Sequence, residues 1–172
     1  MPLPFAHGFL GASIVAAIHP KPFEKYYFPV LFGAFLANAA DFDFALVFLF
    51  NSKEFHRGFT HSIFFAVLVI IIFLLILGWK KHREAVAYGL AFASHFILDF
   101  VTTKIGGGLE LYFPFSKERF GLRWFGLSEV PSKMSVIEIF QTIGLEIIIF
   151  APLFLLVFLL KRKKDEARKL HP

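Results

Sequence analysis

Five apolar segments, at about residues 5–18, 28–50, 62–79, 85–103 and 136–160, alternate along the chain with short polar stretches rich in lysine and arginine. Residues 62–79 carry no charge over eighteen positions, and IIIFAPLFLLVFLL at 147–160 extends the last segment in the same way. A helix needs about 20 residues to cross roughly 30 Å of hydrocarbon, so runs of this length predict membrane-spanning helices. The first segment is short for a full span, which suits a tilted, partial or interfacial helix packed on the others. The pattern predicts an all-α, polytopic membrane helix bundle of four to five transmembrane or membrane-embedded helices. It forms one domain over residues 1–160, followed by a basic cytoplasmic tail, KRKKDEARKLHP, at 161–172.

Composition agrees: 57% of the 172 residues are hydrophobic and 19% aromatic, too apolar for a soluble domain that must cover its surface with polar groups. The net charge of +5 lies in short blocks beside the apolar runs rather than along one polar face. Nucleic acid is therefore not an expected partner, whereas the lipid bilayer is. With the N-terminus outside, residues 19–27, 80–84 and 161–172 are cytoplasmic and hold 11 of the 18 Lys and Arg residues in 26 positions. The positive-inside rule thus predicts a multi-pass protein of the cell (inner) membrane, N-terminus out and C-terminus in. Trp79 before Lys80 and Lys81 suits the inner interface. No basic residue precedes the first segment, so the basic region of a cleaved signal peptide is missing and this segment is expected to remain in the mature protein. Nothing in the composition defines an oligomeric state.

Threading the segments alternately outward and inward brings polar residues together. His7, Asp41, Asp43, His56, His61, His95 and Asp99 all fall at one membrane depth, and inverting the protein moves that group to the other leaflet without dispersing it. His95 and Asp99 are four apart, about 40° around a helix, so one face carries both. Asp41 and Asp43 are two apart, about 200° around a helix, and cannot both face inward unless the helix breaks near AADFD. Asp41 is the better candidate ligand and Asp43 the conditional or supporting one. An isolated carboxylate near the bilayer centre costs roughly 2.5–3.5 kcal/mol, so Asp41, Asp43 and Asp99 require a cation, a partner or water. The chain has no cysteine, which leaves imidazole and carboxylate as the metal ligands.

Plainer readings compete. Thr60 in HRGFTHS (56–62) could cap the next helix, with His56 and His61 ordinary interfacial residues. Asp99 could pair with Arg57 or Lys104, and Glu138 and Glu146 read as packing or lumen-facing groups. Intramembrane Asp and His also build cation pathways, so an ion- or proton-coupled transporter is the main alternative. A metal site that only holds the helices together is another. The chain shows no internal repeat of the kind many transporters carry, and its ligands gather at one end.

The order of an early His, D-x-D ending the next segment, HRGFTHS, H-x-x-x-D and the LYFPFS loop at 111–116 resembles the YdjM-type family of membrane-bound, metal-dependent hydrolases over roughly residues 5–120. That family is in turn distantly similar to the zinc phospholipase C and P1 nuclease group. The resemblance implies that Asp41, His61, His95 and Asp99 hold one divalent ion, with Asp99 bridging to a second ion bound by His7. Zinc is the expected metal, with one or two ions, because further histidines and a Glu that hold a third ion in the soluble enzymes have no counterpart. Ala40 stands where the family has Pro, and Asp43 or His56 would complete the second ion's shell in place of a processed N-terminus. Such a site supports hydrolysis of a phosphoester by metal-activated water. The expected catalytic set is Asp41, Asp99, Arg57 and Arg119, with Lys117 and Arg123 as further phosphate-steadying groups. An opening at lipid level would suit a lipid-linked phosphoester.

Overall fold

The polar stretches of the sequence become the breaks between helices. The computed structural model describes residues 2–20, 27–103, 107–122 and 135–170. Helix α1 (Pro4–Ile18) begins on a proline, whose missing N–H is no loss in a first turn. Helix α2 (Phe28–Leu36) also has a proline in its first turn. It is followed by a 3₁₀ turn, Ala39–Asp43, and by α3 (Phe44–Phe50), which stops at Asn51 in the left-handed region (φ 49°) that asparagine tolerates better than most residues. Ser62 caps α4 (Ile63–Leu77) by accepting the Phe65 N–H at 3.1 Å, and Gly78 (φ 77°) ends it. Two long helices follow, α5 (His82–Thr102) and α6 (Val136–Leu170). Among the described residues the regular elements are all helical, and one isolated bridge joins Leu109 to Phe120.

The second and third apolar segments are bent rather than straight. α2 meets the stretch Ala39–Phe50 at 47°, and the stretch Lys53–His61 meets α4 at 55°. Trp79–Thr102 and α6 are each long and apolar enough to cross a membrane, and the count rises to four if each bent pair is one span. α1, at 15 residues, is a shorter apolar helix. Helix α6 runs on through the basic tail, supported by i,i+4 pairs of Lys161 with Asp165 (3.2 Å) and Arg162 with Glu166 (2.9 Å).

α5 is the central helix. In its apolar window 67% of residues are buried, against 11% for α6. Small residues set the close approaches: a Cβ on Gly89 would collide with Ile70 of α4, and one on Gly11 of α1 with Gly33 and Ala37. Helices in lipid associate through such small-residue seams because no hydrophobic force favours helix over lipid contact. The seams enclose a core around Val15, Ala16, Ala87, Tyr88 and Ala91. The outside is apolar, with Phe48, Leu75, Ile76, Phe140 and Ile148 all exposed, a surface that suits lipid rather than water.

Candidate metal centre

The bends in the second and third segments deliver polar side chains to one end of the bundle. His7 comes from the first turns of α1, Asp41 and Asp43 from the 3₁₀ turn after α2, and His61 from the turn just before α4. His95 and Asp99 share one face of α5. The ligand atoms of His7, His95 and Asp99 lie within 4.8 Å of one another, as do those of Asp41, His61 and His95, and those of Asp41, Asp43 and His56. His95 and Asp41 each belong to two of these groups. His7 Nε2 is 3.5 Å from Asp99 Oδ1, and His95 Nε2 and His61 Nε2 are 3.3 and 3.8 Å from Asp41 Oδ1. The His7 and His95 rings stack with centroids 3.9 Å apart.

The surrounding hydrogen bonds decide which nitrogen of two histidines faces inward. His95 Nδ1 donates to the Ala37 carbonyl at 2.7 Å, so in the neutral ring Nε2 carries the lone pair. Thr60 donates its hydroxyl proton to Asp43 Oδ2 at 2.9 Å, and its oxygen, 2.9 Å from His61 Nδ1, can then only accept from that nitrogen. In the neutral ring His61 Nε2 is therefore also left with the lone pair, on the side of Asp41. Partners of this kind orient metal-binding imidazoles and raise their basicity.

The residues fit a divalent cation. Both nitrogens of His7, Nε2 of His61 and of His95, Asp41 Oδ1 and both Asp99 oxygens are buried without a hydrogen-bond partner among the described residues. A buried polar group left unsatisfied costs about 1–3 kcal/mol. The five residues form two adjoining ligand groups that share His95, and a set of imidazole and carboxylate donors suits such an ion. Asp41 differs from the rest in access: its side chain is 20% exposed, whereas those of His7, His61 and Asp99 are at 0%.

Asp43 organises the HRGFTHS stretch rather than facing Asp41's partners alone. Its Oδ1 lies 3.0 Å from His56 Nδ1, and its Oδ2 accepts the Arg57 N–H at 3.0 Å as well as the Thr60 hydroxyl. This is why Thr60 is not the cap of α4: its hydroxyl is taken by Asp43, and Ser62 caps instead. Arg57 sits in the left-handed region (φ 61°), a conformation costing of order 1–3 kcal/mol for a side chain of its size. It is held there by Asp43 and by the Glu110 N–H, which donates to the Arg57 carbonyl at 3.1 Å. The bend turns its buried guanidinium toward the centre, with Nε 3.5 Å from Asp99 Oδ2.

Arg119 lies outside these groups. Its Nη2 donates to the carbonyls of Glu54 (3.0 Å) and His56 (3.4 Å) and pairs with Glu110 at 3.1 Å, stapling the 107–122 loop to the HRGFTHS stretch. Lys117 is exposed on that loop. Lys104 and Arg123 lie outside the described residues. Glu146, by contrast, gains a role that sequence reasoning missed. This wholly buried carboxylate on α6 accepts the backbone N–H groups of Leu3 and of Ala6, the latter at 3.0 Å, so α6 caps the start of the helix that carries His7. A glutamate inside an otherwise apolar span, opposite a helix that opens on Pro4 with no side-chain cap of its own, was the available signal. Glu138 is exposed and bonds Ser135 at the start of α6.

No curated protein and no solved structure matches the chain. Residues 1–165 match the YdjM inner membrane protein family, a span that includes every residue of the centre described above. That coverage makes the chain a member of the YdjM inner membrane protein family.

Proposed function

We propose that the protein is a membrane-embedded, metal-dependent hydrolase of phosphoesters. The observation that carries this reading is that His7, His95 and Asp99, and Asp41, His61 and His95, form two adjoining buried groups whose ligand atoms lie within 4.8 Å of one another in each. His61, His95 and Asp41 would hold one divalent ion, zinc being the expected one, and His7 with Asp99 would form the basis of a second position. When bound, such ions supply a water of lowered pKa and neutralise charge on a phosphoester. Asp41, the most exposed of the set, is the side chain that would orient a water at the site and accept a proton from it. Arg57 balances Asp99 and adds positive charge where the phosphoryl group sits. Asp43 and Thr60 hold His61, and the Ala37 carbonyl holds His95, so neither ring must reorganise.

Exposure of Asp41 favours catalysis over a purely structural metal, because a closed site has no access for substrate. The apolar core around Val15, Ala87 and Ala91 argues against a transporter: it separates the centre from the polar pair His19 and Glu84 at the opposite ends of α1 and α5. The reading includes a multi-pass topology with the centre and the N-terminus outside and the basic end of α6 in the cytoplasm, supported by the distribution of lysine and arginine. It is tested by hydrolysis of a panel of phosphodiesters and lipid phosphates in mixed micelles, with and without chelator, beside an ion-flux assay in liposomes. Chelator-sensitive hydrolysis supports the reading. Flux without hydrolysis refutes it in favour of transport.

A further inference from the structure

One cleft lies between α1, α2 and α6. Helix α1 forms its floor, α2 one wall, and Phe154 of α6 the other, and its volume is about 550 Å³. That size is ordinary for a small-molecule site, which runs about 300–1,000 Å³. The lining is almost wholly hydrocarbon: Phe9 and Ala12 below, Val30, Leu31 and Ala34 at the side. The lining residues of α1 run from Pro4 to Ala12, so the cleft follows the helix axis for about 12 Å. Leu31, at 61% exposure, and Phe5, at 45%, mark its open side. In a protein of an inner-membrane family, an apolar side of this kind would meet lipid.

The two ends differ. Asn38, three residues before Asp41, stands at the end of the α2 wall, level with Gly8 midway along the α1 floor. Asn38 Nδ2 donates to the Ala34 carbonyl at 2.9 Å, which fixes the amide orientation, and its Oδ1 is buried without a partner among the described residues. Away from that end the lining is apolar as far as Tyr27. A rod-shaped apolar cleft with one amide side chain, Asn38, at the end of its α2 wall has the polarity pattern of a site for an amphiphile held by its tail.

We infer that this cleft binds one hydrocarbon chain of a membrane lipid phosphoester, laid along α1 with its polar head at the Asn38 end. The inference rests on the hydrolase reading for the chemistry of the head group, and it narrows the substrate class to lipids. The second Nδ2–H of Asn38, the one not given to the Ala34 carbonyl, would donate to an oxygen at the junction of chain and head. Gly8 packs against that junction: a Cβ placed there would meet Asn38 Nδ2 at 3.4 Å and the Ala34 Cβ at 3.8 Å.

The test uses the full-length protein in nanodiscs of a phospholipid mixture, with a photoreactive benzophenone residue in place of Leu31 in the cleft or Ile72 on the exposed face of α4. Lipid cross-linking is expected to be several-fold higher at position 31 than at 72, and Ala34→Phe, which fills the cleft, should abolish the difference. In parallel, hydrolysis of phosphate esters with increasing alkyl length should rise with length in the wild type and become flat in Ala34→Phe, with metal content unchanged. Equal cross-linking at 31 and 72 would overturn the inference, since lipid then coats both faces alike. Preferential cross-linking with no hydrolysis of any ester would uphold the cleft and refute the hydrolase reading. Hydrolysis indifferent to chain length, with equal cross-linking, would do the reverse.

Discussion

Asp43 Oδ2 lies 3.4 Å from His61 Nδ1, on the side of the ring away from Asp41, with the Thr60 hydroxyl bonded to both. The same carboxylate bonds His56 and the Arg57 backbone. One buried side chain therefore sets the tautomer of a candidate ligand and the path of the loop that carries it. Replacing Asp43 with Asn should weaken divalent metal binding by about 10–100-fold, the range for partners of metal-bound histidines. Competition with a chromophoric chelator measures it, and unchanged affinity would show that Asp43 is a loop residue only.

Asp99→Asn keeps the volume of the side chain and removes its charge. With both Asp99 oxygens buried and His7 and Arg57 beside it, activity should collapse while the protein still elutes as a single species in detergent. Full activity in this variant would remove Asp99 from the centre.

Glu146→Gln should destabilise the fold by about 1–3 kcal/mol, because a buried carboxylate that accepts two N–H groups at the start of α1 loses charge and one acceptor. Thermal unfolding in detergent reads this directly. The variant should also bind metal less tightly through His7, whose helix it anchors.

Arg119→Ala should loosen the 107–122 loop over HRGFTHS, exposing that loop to limited proteolysis, because three of its bonds end on Glu54, His56 and Glu110. If phosphate binding is its main task, substrate KM should rise while proteolysis stays as in the wild type.

Topology can be read in this cysteine-free chain from single cysteines at Lys53 and Lys164. Position 53 should label with an impermeant reagent in intact cells and position 164 only after lysis. Labelling of both from outside would contradict the proposed orientation.

Much of the architecture was legible because the bilayer imposes length and hydrophobicity on every span. The five apolar segments return as α1, α2 with α3, α4, α5 and α6, and the resemblance carried by HRGFTHS and H-x-x-x-D agrees with the family match over residues 1–165. The spacing of His95 and Asp99 gave their common face, since a helix repeat needs only local sequence. The break at AADFD was readable as a condition, because Asp41 and Asp43 could not share a face of a straight helix. The bends of 47° and 55° were not: a uniformly apolar run looks the same whether straight or kinked. Long-range pairs were equally silent. Glu146 meets Ala6 across 140 positions, and Arg119 meets Glu54 across 65, with no periodicity to announce either.

The central claim is that the converging ligand atoms hold a divalent ion. Elemental analysis of protein purified in detergent without chelator, wild type beside His95→Ala, tests it most directly, because His95 belongs to two of the three ligand groups. The account predicts one or two equivalents of a divalent metal, zinc foremost, in the wild type and their loss in His95→Ala with the helical content retained. A wild-type protein that is folded, stable and metal-free, and that takes up no zinc on addition, would contradict it.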